Sequence, residues 1–166
     1  MIEIHSAEEK DYDIINRLAH RIWPCTFGSI LSKEQIDYML EWMYSLPSIK
    51  EQVEKKGHHY ILAKEDDNYI GYASFEFNYD NSDSTKVHKI YLLPETQGKG
   101  FGKQMMNYIS EKALQNNNTS LLLNVNRDNP AVKFYERTGF RVIKEEDIDI
   151  GNNYFMNDYV MKKILK

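Results

Sequence analysis

A chain of 166 residues that is 42% hydrophobic and 28% charged is long enough to bury a core without covalent staples, and it reads as a single domain spanning residues 1–166. Its one cysteine, Cys25, leaves no disulfide framework, and no group of residues stands at metal-ligand spacing, so a reducing, cytoplasmic setting without a metal is expected. With 25 Asp and Glu against 21 Lys and Arg, the formal charge of -4 argues against a nucleic-acid partner and mildly favours a cationic one.

Residues 1–5 alternate as a short strand, with no basic start, no apolar signal core and no run that would span a membrane. Residues 6–11 form a polar cap before Ile14, Ile15, Leu18 and Ile22, which recur at helical spacing. Pro24 predicts a break after Trp23. Ser32 caps a second helix that places Ile36, Met39, Leu40 and Met43 on one face and ends before Pro47.

The amphipathic stretch 48–56 leads through Gly57 to a hairpin: strand 59–64, a turn at Asp66, Asp67 and Asn68, and strand 69–78. Beyond a polar loop comes strand 86–93, then Pro94 and a glycine-rich turn into helix 102–115. The apolar run 121–125 reads as a buried strand, 131–138 as a short helix stopped by Gly139, and 140–144 with 155–163 as a closing pair of strands. Hairpin, strand-helix-strand and closing pair together predict an α/β fold with a mixed, mostly antiparallel central sheet and helices on both faces.

Gln97, Gly98, Lys99, Gly100, Phe101, Gly102 and Lys103 lie between a predicted strand and a predicted helix. Glycines here let the backbone turn tightly, so that successive N–H groups and a helix N-terminus point at one anion. An ordinary strand-to-helix loop would look similar, but the spacing matches neither a Walker loop nor a dinucleotide fingerprint. Gln-x-x-Gly-x-Gly, flanked by Lys99 and Lys103, resembles the acyl-CoA loop of the GNAT superfamily of N-acetyltransferases.

A second motif strengthens the resemblance: Asn124, then Asn129, Pro130 and Ala131, then Phe134, Tyr135 and Glu136, then Gly139 and Phe140. In the superfamily a buried strand is followed by Asn, a short helix with Ala and Phe/Leu-Tyr-Glu, and Gly-Phe opening the next strand. Within it, Trp23 to Phe27, Ser32 to Leu40 and the strand ending at Pro94 look like the PaiA-type acetyltransferases, which act on polyamines.

The resemblance implies the roles. The backbone of Ile90, Tyr91 and Leu92 would run beside the pantetheine arm at a splayed point of the sheet, with one N–H polarising the thioester carbonyl. Gln97 to Lys103 would hold the pyrophosphate, Asn129 would reach the pantetheine, and Tyr135 would protonate the departing thiolate. Some relatives carry a glutamate as base where this chain has Asn124, which cannot take a proton. Glu76 and His88 are the remaining candidates, directly or through water, although surface pairing and packing explain them equally well.

His58 and His59 read as structural, and Cys25 as a buried thiol without a triad. Tyr38, Trp42 and Tyr44 are either core or a surface on which an aliphatic or cationic chain stacks. The acidic run Glu145, Glu146, Asp147 with Asp149 suits a polyamine. The expected function is transfer of acetyl from acetyl-CoA, as co-substrate, to a primary amine by direct attack in a ternary complex. Its rivals are a protein N-terminal or lysine acetyltransferase and a non-catalytic acyl-CoA sensor. By resemblance, the protein would form a homodimer.

Overall fold

A computed structural model describes residues 2–166; the first residue of the expected opening strand lies outside them. Strands β1 (Glu3–Ser6), β2 (His59–Glu65), β3 (Asn68–Glu76), β4 (Ser84–Leu92), β5 (Ser120–Asn126), β6 (Arg141–Gly151) and β7 (Tyr154–Ile164) form one sheet in the order β1-β2-β3-β4-β5-β7-β6. Only β4 and β5 are parallel. The sheet is thus mixed and mostly antiparallel, as expected.

Helix α1 (Tyr12–Phe27) packs against α2 (Lys33–Tyr44), α3 (Leu46–Lys56) and β3, whereas α4 (Phe101–Gln115) lies on β4 and β5, and α5 (Ala131–Arg137) on β5. Neighbouring residues of β4 show the two faces. Tyr91 packs its ring on Trp23 and Phe27 of α1, at centroid distances of 5.8 and 6.1 Å, while Leu92 lies on the side of α4, where a Cβ added to Gly102 would come within 3.7 Å of it. Ser32 caps α2 by accepting from the Gln35 N–H at 3.1 Å.

Two expectations are corrected. Helix α1 does not break at Pro24 but runs on to Phe27. Pro24 is exposed in the last turn, where its missing N–H removes a single helical bond, and the buried Trp23 and Phe27 keep the helix on the core. Strand β6 continues through the acidic run to Gly151 because β7 pairs with it along nearly its whole length. Its outward positions are charged, so apolar alternation is weak there although the backbone ladder persists. No helix among the described residues is long and apolar enough to cross a membrane.

Candidate active site

Strands β4 and β5 pair only from Ser84 opposite Ser120 to Val87 opposite Leu123. Beyond that point β4 stays on β3 and β5 stays on β7, so the sheet opens into a wedge. His88 is the extra residue of a β-bulge: Ser74 and Phe75 are consecutive on β3 but pair with Lys89 and Val87. A bulge of this kind bends its strand and frees ladder groups. Ile90, Tyr91 and Leu92 follow it along the open edge, each half-buried.

A cavity of about 980 Å³ opens at the wedge, and its lining includes His88, Ile90, Tyr91, Asn129, Tyr135 and Asp158. Tyr135 is 8% exposed, packed edge-on between Phe134 and Phe140, and its hydroxyl has no protein partner among the described residues. Burial holds its phenol well above the usual tyrosine range, so it stays protonated at neutral pH. Asn129 spends its Oδ1 on the Ala131 N–H at 2.9 Å and its own N–H on the Asn126 carbonyl at 2.9 Å. Its amide NH₂ is left for the cavity.

The glycine turn sits beside this wedge. Gly98 and Gly100 have φ of 83° and 81°, and a Cβ at either would meet nothing within 4 Å. Glycine is therefore required by the backbone conformation, and the face it leaves is open. Among the described residues, the N–H groups of Gly98, Lys99, Gly100, Phe101, Gly102 and Lys103 have no protein acceptor; the first helical bond runs from the Gln104 N–H to the Gly100 carbonyl at 3.2 Å. Such a nest at the start of the 15-residue helix α4 fits a pyrophosphate. Gln97 differs, because its N–H already donates to Pro94 at 3.2 Å. A Cβ on Gly102 would lie 3.5 Å from Phe134 and 3.7 Å from Leu92, so the two sequence motifs meet here.

The two candidate bases touch each other. His88 Nε2 lies 3.0 Å from Glu76 Oε1, and the His58 ring stacks on His88 at 4.0 Å with 12° between planes. Burial first, then the His58 and lysine neighbours, pushes His88 down to about 2, and burial pushes His58 down to about 3, so both are neutral. Desolvation raises the Glu76 carboxyl. Residues far apart in sequence thus gather ligand atoms within 4.8 Å, which spacing had not indicated. His88 Nε2 at 3.0 Å and His58 Nε2 at 3.8 Å face the same Glu76 oxygen, so the three side chains partner one another.

Asn124 is clamped in the wedge: its Oδ1 accepts closely from Lys86, and its Nδ2 donates to Asp158 Oδ2 at 3.3 Å and to Glu146 Oε2 at 3.5 Å. Sequence reasoning missed Lys86 and Asp158. The signal for Asp158 was present, since it shares the inward phase of β7 with Met156 and Val160, where an acid is out of place. Lys89 was missed too; it is buried, donates to Gln52 at 3.0 Å and is pushed down to about 7, mainly by desolvation. Cys25 is exposed rather than buried, because it lies on the outer side of the last turn of α1.

Of the aromatic residues weighed for the acceptor, Tyr44 belongs to the core, where its hydroxyl accepts from Trp23 and Tyr72. Tyr38 donates to the Ile150 carbonyl at 2.9 Å, and Trp42, 48% exposed, lies on the cavity rim.

The model of the acetyltransferase (GNAT) family matches residues 15–140. The chain belongs to the GNAT family. Among its relatives, an N-acetyltransferase of Lactobacillus delbrueckii subsp. lactis is 24% identical, over 99% of this chain and 98% of that one. The ribosomal protein bS18-alanine N-acetyltransferase of Haemophilus influenzae is 27% identical, over 81% of this chain and 85% of that one. The PaiA N-acetyltransferase of Thermoplasma acidophilum, solved in complex with coenzyme A, shares the fold with a TM-score of 0.82 at 23% identity, covering 99% of each chain. This GNAT protein is an N-acetyltransferase.

Proposed function

We propose that this GNAT enzyme moves an acetyl group from acetyl-CoA to a primary amine of a small cationic acceptor, a polyamine, by direct attack in a ternary complex. The observation that carries the reading is the wedge beyond Val87 and Leu123, which puts strand backbone, a protonated Tyr135 and a buried carboxylate around one cavity.

The N–H groups of residues 98–103 hold the pyrophosphate, with Lys99 and Lys103 adding charge at the surface. The open edge of Ile90, Tyr91 and Leu92 lies along the pantetheine, and a strand N–H polarises the thioester carbonyl. The Asn129 amide adds a donor. The amine nitrogen attacks the carbonyl carbon, the C–S bond breaks with its electron pair on sulfur, and Tyr135 gives the thiolate its proton. Asp80, Glu146 and Asp158 line the same cavity as Lys56, Lys86, Lys89, Lys144 and Lys162, so a polyamine is favoured only by the single carboxylates that an ammonium group can reach and by the chain's formal charge of -4.

A protein N-terminal amine is the second reading, favoured by the kinship with the bS18-alanine enzyme. Thiol release from acetyl-CoA against spermidine, spermine, diamines and peptide N-termini, with an acceptor-free blank, separates the two. Release ranked with polyamines first supports the proposal. Release with peptides alone replaces the acceptor, and tight acetyl-CoA binding without release above the blank makes the protein a sensor.

A further inference from the structure

Asp158 of β7 lies opposite Asn126 of β5 and is 6% exposed. Its Oδ2 accepts from Asn124, while its Oδ1 is buried without any hydrogen-bond partner and the residue lines the cavity that also holds Tyr91 and Tyr135. Lys86 and Arg127 act on the carboxylate through space, but neither donates to it, since Lys86 is engaged by Asn124 Oδ1 and Arg127 by Asp147. A buried carboxylate oxygen without a hydrogen-bond donor is costly in the free protein, and an ammonium group supplies a donor together with a full charge.

We propose that Asp158 is the acceptor-amine site: its free Oδ1 binds the incoming ammonium and takes its proton. The assignment rests on the wedge being the place of acyl transfer. The R–NH₃⁺ group gives one proton to the Asp158 carboxylate, and the freed lone pair forms the N–C bond. As the C–S bond breaks, Tyr135 protonates sulfur, and the second proton lost by nitrogen restores the Tyr135 phenol. Asp158 then returns its proton to solvent, so charge and atoms balance.

The groups facing Asp158 set its basicity. Desolvation and the neighbouring Glu146 raise its carboxyl, while the Asn124 amide, Lys86 and Arg127 lower it, for a net rise. Glu76 and His88 are poorer proton acceptors: the Glu76 carboxylate is held by His88 and does not line the cavity, and His88 is pushed down to about 2. Asn124 therefore stands where some relatives carry a base, and the carboxylate it orients comes from the adjacent strand.

The test is Asp158→Asn, which keeps size and the site's packing, set beside Glu76→Gln and the unaltered enzyme. Asp158→Asn is expected to bind coenzyme A as before, to lose about 100-fold in kcat/KM for spermidine, and to lose the acidic limb of the pH–rate profile. Calorimetric spermidine binding is expected to weaken at least tenfold, a readout that stands even if no thiol is released. Unchanged spermidine binding and an intact acidic limb in Asp158→Asn would overturn the assignment while leaving acetyl transfer in place. Loss of that limb in Glu76→Gln alone would do the same and give the proton to Glu76. An unaltered enzyme that releases no thiol, yet binds spermidine through Asp158, would overturn the transferase reading instead.

Discussion

Val87 and Leu123 are the last residues to pair β4 with β5, and both side chains are 2% exposed. Two parallel strands that part while each keeps its outer neighbour leave main-chain groups without a partner strand, which is unfavourable unless something occupies the gap. The bulge at His88 starts the divergence on one side, and the pairing of β5 with β7 holds it on the other. A thioester and an amine meet most naturally where the sheet itself supplies unpaired donors.

Tyr135→Phe removes one oxygen that has no protein hydrogen bond. Folding stability is expected to stay within about 0.5 kcal/mol, since no buried partner is stranded. The kcat for thiol release should fall about 100-fold with coenzyme A affinity kept. A steady-state comparison alongside calorimetry checks both, and an equal loss in affinity would make Tyr135 a binding residue.

Gly100→Val tests the turn through backbone conformation, because φ is 81° and there is open space where the side chain would go. The left-handed conformation costs a β-branched residue about 1–3 kcal/mol, so the loop shifts and its N–H groups lose their common aim. Coenzyme A affinity is expected to fall at least tenfold by calorimetry. Equal affinity would remove the loop from the site.

The Tyr44 hydroxyl accepts from Trp23 Nε1 at 3.1 Å and from the Tyr72 hydroxyl at 2.7 Å, with all three residues in the core. Tyr44→Phe strands two buried donors, and each costs about 1–3 kcal/mol. Urea unfolding should show a lower midpoint for Tyr44→Phe than for Tyr72→Phe, which strands no donor.

Lys89 is pushed from 10.5 down to about 7, by burial and then by Lys56, even though Gln52 accepts from it and Tyr44 and Tyr60 face it. The unfolded chain then holds this proton more tightly, so stability rises with pH from about 7 towards 10.5. His58 and His88 act with the same sign at lower pH, from about 3 and about 2 up to 6.5. Acid therefore destabilises the fold in both windows, by at most about 1.4 kcal/mol per pH unit for each proton. Lys89→Met should flatten the upper window in urea unfolding followed against pH; an unchanged slope would mean that Lys89 is solvated.

Local patterns carried most of the fold: the Ser32 cap, the turn at Asp66, Asp67 and Asn68 that joins β2 to β3, and the strand-turn-helix around Gly98 and Gly100 each lie within a few residues. What sequence could not convey was long-range. Nothing near Pro24 shows that Trp23 and Phe27 both belong to one buried face, and the charged alternation of β6 hides a strand that only β7 defines. The site divides in the same way. Tyr135 and the glycine turn are carried by contiguous motifs, whereas the Glu76–His88 contact and the Asn124–Asp158 bond join residues from separate strands.

Direct transfer inside the wedge is tested most directly by initial rates measured with acetyl-CoA and spermidine varied together, and by the mass of the enzyme after acetyl-CoA alone. Double-reciprocal lines that intersect, with an enzyme of unchanged mass, are the predicted result. Parallel lines and an acetylated enzyme, with the exposed Cys25 as the first place to look, would contradict it.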